Sequence, residues 1–211
     1  VYARWRRARP ARLSRSCVNH LWSFVRLWGM EPLARTADPD LVGIIASAVA
    51  GDEYAFARLV AAYHEDMRRV CAFVTRDDAL AEDATQAAWT VVWKKLGSLK
   101  QPERIRPWLV SVAVNQAKDM LRKHKRRSEA ELLANANAVP AGVDPSTGLD
   151  NLDLLAAMDR LGPDDRALIA MRYIAGFDAT ELSHAIGLSP PGTRARLSRI
   201  LGRLRQELTD G

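Results

Sequence analysis

The sequence predicts an all-α protein made of two small helical domains joined by a flexible linker. Three observations carry this expectation. Apolar residues recur at three- and four-residue spacing through most of the 211 positions, and no run alternates in the manner of a strand. Gly51, Gly97 and Gly187, together with Pro102 and Pro107, cut the pattern into segments of helical length. Between Ser128 and Asn151 the composition shifts to Ala, Asn, Gly, Pro, Ser and Thr. Pro140 and Pro145 interrupt that stretch, and apolar periodicity lapses after Leu133.

Taken in order, a first helix runs from about Pro39 to Ala50 and stops at Gly51. A second, Asp52 to about Thr75, places Phe56, Leu59, Val60, Tyr63, Met67, Val70, Cys71 and Val74 on one stripe. A third spans about Asp78 to Leu96, with Leu80, Ala84, Ala87, Ala88, Val91 and Val92 directed inward. Its opposite stripe, Glu82, Gln86, Trp89 and Trp93, suits a partner surface, since aromatic side chains concentrate at interface anchors. The competing reading packs both tryptophans under a neighbouring helix, and for so small a bundle it is the preferred one. The loop Gly97–Arg106 then leads into a fourth helix. After the linker come helices at Leu152–Leu161, Pro163–Ala175, Ala179–Ile186 and Pro190–Leu208.

The fourth helix, Pro107 to Arg127, is apolar round most of its circumference through Trp108, Leu109, Val110, Val112, Val114, Met120 and Leu121. One polar stripe remains: Ser111, Asn115, Lys118, Arg122 and Lys125, at spacings that keep them on one face. The helix ends in a run from Arg122 to Arg127 in which only His124 is not Lys or Arg. Such a run alone can be a solvated helix end. A second basic helix makes an anionic partner the better reading. Asp178 and Glu181 have capping-box spacing, Gly187 fits a left-handed helix stop, and Ser189 with Pro190 opens the next helix. There Leu197, Ile200, Leu201, Leu204 and Leu208 form the packing stripe, with Arg196, Arg199 and Arg203 opposite and Arg194 and Arg205 flanking. A helix packed down on one side and presenting arginines on the other is suited to the major groove, where the guanidinium fork reaches guanine edges or phosphates. A plain helical hairpin with a solvated arginine face is the alternative.

The formal charge of +6 does not itself point to nucleic acid. Residues 1–29 hold seven arginines and no acid, while the remainder carries 24 basic and 25 acidic residues. Basicity beyond residue 29 is therefore local to the two helices. The first 29 residues mix Arg, Trp and Pro without periodicity. Their apolar stretch is broken by His20 and Arg26, which argues against a secretory signal, and it is too short and polar to span a membrane. The expectation is a native start at Met30, with residues 1–29 a disordered or non-native extension; a genuine basic arm is the alternative. Cys17 and Cys71 form neither a disulfide framework nor a zinc pattern, and the four histidines lack metal-ligand spacing. No phosphate loop, nucleophile elbow or supported carboxylate pair is present, so neither catalysis nor a cofactor, metal or small-molecule substrate is expected.

Several segments resemble the extracytoplasmic-function group of bacterial sigma factors, whose second conserved region reads AED-x-x-Q, an aromatic and Val-Trp, then WL-x-x-x-A-x-N and D-x-x-R. This sequence has Ala81-Glu82-Asp83, Gln86, Trp89, Val92-Trp93, Trp108-Leu109, Ala113, Asn115, Asp119 and Arg122 in that order. Leu152 to Leu208 resembles the fourth region through Arg166, Glu181-Leu182, Ile186-Gly187, Ser189, Arg196-Leu197 and Arg199. Two departures stand out. The usual Gly-Thr-Val becomes Pro191-Gly192-Thr193, and the usual Leu-Pro becomes Leu161-Gly162-Pro163.

The resemblance implies a division into region 2 at residues 39–127, a linker at 128–151, and region 4 at 152–209. It implies core RNA polymerase, held through Glu82, Asp83 and Gln86, and promoter DNA as partners in the cytoplasm, with no membrane. Members of the group are often held by an anti-sigma factor. The minus-ten element would meet the loop Gly97–Arg106 and Asn115, Lys118, Arg122, Arg126 and Arg127. The minus-thirty-five element would meet Ser189, Thr193, Arg194 and Arg196, with Arg199 and Arg203 on phosphates. A stand-alone helix-turn-helix regulator is the runner-up, and a DNA-processing enzyme a weaker third.

Overall fold

The computed structural model describes residues 40–134 and 156–209, and every regular element among them is helical. The expectations for residues 1–29 and Met30, for the linker from residue 135 onward and for a helix opening at Leu152 lie outside the described residues. Four helices form the first set: α1 (Leu41–Val49), α2 (Glu53–Thr75), α3 (Asp78–Lys95) and α4 (Ile105–Ala134). The second set contains a helical stretch at 156–160, then α5 (Pro163–Ile169), α6 (Ala179–Ile186) and α7 (Pro190–Thr209).

Local chemistry sets the boundaries. The Asp52 carboxylate accepts from the Tyr54 and Ala55 amides at 2.9 and 3.2 Å, opening α2. Arg76 closes that helix in the left-handed conformation at φ 60°. The Thr75 hydroxyl donates to the Asp77 carbonyl across the turn, and the Asp77 carboxylate receives the Leu80 amide at 2.8 Å to open α3. Two short 3-10 turns, Leu96–Ser98 and Pro102–Arg104, then carry the chain into α4.

α2, α3 and α4 pack on one another around Met67, Val70, Cys71, Val74, Val92, Leu109, Val110 and Val114. The buried face of α3 is rotated from the expected one. Ala81, Ala84, Thr85, Ala88, Trp89 and Val92 are buried, whereas Leu80, Ala87 and Val91 are only half-buried. The fully buried Ala81, Ala84 and Ala88 let neighbouring backbones approach closely, so volume decides the phase over hydropathy. α4 also continues beyond the expected linker start at Ser128, through Ala134. The sequence there, Ser-Glu-Ala-Glu-Leu-Leu-Ala, is rich in strong helix formers and holds no breaker.

The second set has its own core of Met158, Leu168, Ile169, Ile174, Phe177, Leu182, Ile200 and Leu204. α5 widens into a π-helical turn at Ala170–Ile174. Its core is continuous with the first set, because α5 and this turn pack against α2 and α5 also contacts α4. The two sets are thus packed together among the described residues.

Candidate nucleic-acid interface

The helix-turn-helix is assembled locally. Asp178 accepts from the Thr180 and Glu181 amides at 2.7 and 2.8 Å while Glu181 receives the Asp178 amide at 2.8 Å, completing a reciprocal cap. Gly187 ends α6 at φ 68°, which only a residue without Cβ adopts freely. Ser189 then accepts the Gly192 amide at 3.3 Å at the start of α7.

Arg194 and Arg199 stand exposed on α7, beside exposed Ala195 and Ser198, and Ser189 is exposed at the turn. Thr193, expected at base edges, is 1% exposed, and its hydroxyl donates to the Ser189 carbonyl at 3.0 Å. The helical phase explains this correction. Ile200 and Leu204 follow Thr193 at seven and eleven positions and share its packing side. Arg196 turns toward α5, where its Nη2 and Nε lie 2.8 and 3.1 Å from an Asp165 oxygen, and Arg203 pairs with the same carboxylate.

On α4, Asn115 is exposed, Ser111 is half-buried, and its hydroxyl donates to the Pro107 carbonyl at 2.7 Å. Lys118 is not free: its ammonium donates to Asp164 at 2.9 Å. That ammonium holds the Asp164 carboxyl below its ordinary range; burial opposes it, and Arg196 and Arg122 add to it. These side chains line a narrow cleft whose far wall is α5, α6 and Arg196 of α7. Arg122 pairs with Asp119 within α4, and Arg126 and Arg127 are exposed. In the preceding loop Lys100, Gln101, Glu103 and Arg104 are exposed. Arg106 instead bonds Asp66 at 3.0 Å and the Ala175 carbonyl at 2.8 Å.

On α3, Asp83 and Gln86 are exposed and Glu82 is partly so, with the Gln86 amide donating to Glu82 at 3.0 Å. The two tryptophans divide. Trp89 is buried, its Nε1 donating to His64 at 3.2 Å and its ring edge-on to Phe56, whereas Trp93 packs edge-on against Phe56 and stays 44% exposed.

Residue patterns did not single out the acid pair Asp164–Asp165. Its partners lie 46, 31 and 38 positions away, so no local spacing marks it. Among the described residues no group of His, Cys, Asp and Glu is placed to hold a metal ion, and no helix is long and apolar enough to cross a membrane.

The fold is shared with known proteins. The family model of sigma-70 region 2 matches residues 59–127. The chain is 32% identical over 160 residues to the RNA polymerase sigma factor CarQ of Myxococcus xanthus, covering 75% of this chain and 91% of CarQ. Identity is also 32% over 182 residues to the probable RNA polymerase sigma factor RfaY of Xanthomonas campestris pv. campestris. That match covers 83% of this chain but 46% of RfaY, so the chain spans about half of that relative's length. Among solved structures, CnrH in complex with the cytosolic domain of CnrY superposes with a TM-score of 0.59 at 21% identity, covering 82% of this chain and 99% of that one. The sigma factor RpoE of Bartonella quintana, in complex with the anti-sigma factor NepR, gives 0.58 at 21% identity over 73% of this chain and 96% of that one. The chain belongs to the extracytoplasmic-function group of the sigma-70 family of RNA polymerase sigma factors.

Proposed function

We propose that the chain binds core RNA polymerase and directs it to specific promoters in the cytoplasm, acting by binding and not by chemistry. The observation that supports this most is the combination of a capped helix-turn-helix presenting Arg194 and Arg199 with a separate basic helix, α4, in one chain. Two DNA-facing elements suit two promoter elements. In this reading α7 enters the major groove at the minus-thirty-five element. Ser189, Arg194 and Arg199 are accessible at once; Arg196 and Arg203 join when Asp165 gives way.

The minus-ten element falls to the loop Gly97–Arg106 and to Asn115, Lys118, Arg122, Arg126 and Arg127. Strand opening there needs an unstacked base to be captured and the freed strand held on cations. Glu82, Asp83 and Gln86 hold the polymerase. The co-crystal structure of RpoE with the anti-sigma factor NepR supports an anti-sigma protein as a further partner of this chain. Co-elution with purified core polymerase tests the first step. A stable complex is expected, and a chain that binds promoter fragments but never core polymerase would instead be a stand-alone regulator.

A further inference from the structure

Two adjacent carboxylates at the start of α5 occupy three of the cations proposed to meet DNA. Asp164 takes Lys118 of α4 at 2.9 Å, while Asp165 takes Arg196 at 2.8 Å and also Arg203, both of α7. The first pair crosses between the helical sets and the others tie the recognition helix to the same short helix. Resting on the promoter-binding reading, we propose that Asp164–Asp165 is an autoinhibitory latch that stands in for DNA phosphates and holds both DNA-facing elements in a closed arrangement.

Its setting fits that role. Arg166, the next residue, is buried and donates to the Val74 carbonyl of α2 at 2.9 Å and to the Leu161 carbonyl at 2.8 Å. Arg76 at the end of α2 meets Asp159 at 2.9 Å, and Arg106 reaches the Ala175 carbonyl at 2.8 Å. These contacts bring α5 to the polar stripe of α4, where the Lys118 side chain is only 23% exposed. A DNA strand cannot reach Lys118 fully until α5 leaves. Without polymerase the latch stays closed and these three cations stay on their carboxylates, so the wild-type chain meets a duplex without them. The acids carry no information about base sequence; they set how readily the chain binds DNA without polymerase.

The test is polymerase-free binding of the full chain to a 30-base-pair duplex of random sequence across a range of salt. Each cation newly placed on phosphate steepens log K against log salt by about 0.9. D164N should therefore steepen the slope by about 0.9, D165N by about 1.8, and the double variant by nearly 2.7. The pair Glu53→Gln with Asp78→Asn removes the same charge from exposed first-turn acids, and Arg68 keeps its Glu65 partner. That control should raise affinity slightly with little change in slope. Circular dichroism establishes that each variant is folded, and the single variants suffice if the double one is not. Slopes that match the wild type or the control would overturn the latch. Wild-type transcription with core polymerase judges the sigma reading separately: a chain that transcribes but shows no steepening loses the latch alone.

Discussion

Arg166, 8% exposed, donates to two main-chain carbonyls, Val74 of α2 and Leu161 in the bend before α5. Burial pushes its pKa down, Asp159 pulls it back up, and Arg76 opposes it, so its two carbonyl bonds matter to keeping the charge inside. Met at this position would leave both carbonyls unsatisfied, at about 1–3 kcal/mol each. R166M should therefore lower the thermal midpoint by several degrees, and an unchanged melt would show that the two helical sets do not depend on this bond. Cys71 behaves oppositely to a reactive thiol. Burial raises its pKa from 9.0 to about 11, so little thiolate forms near neutrality. Alkylation of native protein at pH 8 should be slow at Cys71 and become fast in denaturant. The same shift means that unfolded chains ionise first as pH rises above 9, so stability should fall through that window. Asp83, by contrast, is exposed and contributes little to folding. Asp83→Arg should weaken association with core polymerase and leave helicity intact, and unchanged co-purification would remove α3 as the docking face.

The α6–α7 unit illustrates what a sequence discloses at the scale of elements. Its capping box, glycine stop and serine start all act within four residues, and each was legible because the chemistry is local. The phase of α3 was less so. Its core face is made of Ala81, Ala84, Thr85 and Ala88, small residues that hydropathy weights weakly against Leu80 and Val91. Thr193 fell to the same limit: the helix start was found, but its inward rotation depends on what Ile200 and Leu204 pack against. With Thr193 buried, the proposed base reading on α7 falls chiefly to the exposed Arg194, with Arg199 and Arg203 on phosphates. Arg194→Ala should relax preference at one or two base pairs, worth about 1–3 kcal/mol of discrimination. Arg203→Ala should lower affinity evenly across sequences. Selection from a randomised minus-thirty-five element separates the two, and loss of affinity without any change in preference in both variants would reduce α7 to a phosphate clamp.

Across the whole molecule, the ion pairs that join the helical sets were invisible in the sequence because their partners are dozens of positions apart. What could be read was each element's own amphipathic pattern, enough for the all-helical class and for both basic helices. On the proposed reading the packing of the two sets against each other bears on promoter opening, since the Lys118 ammonium, held by Asp164, would exchange that carboxylate for DNA. Replacing Lys118 and Arg122 with Ala should reduce open-complex formation and flatten its salt dependence, and normal permanganate reactivity of the melted strand would refute that role. The central claim is promoter-directed initiation, and in vitro transcription with purified core polymerase on genomic templates tests it most directly. The account predicts a discrete set of new start sites, each preceded by a shared pair of elements near minus ten and minus thirty-five. Transcripts no different from those of core polymerase alone would contradict it.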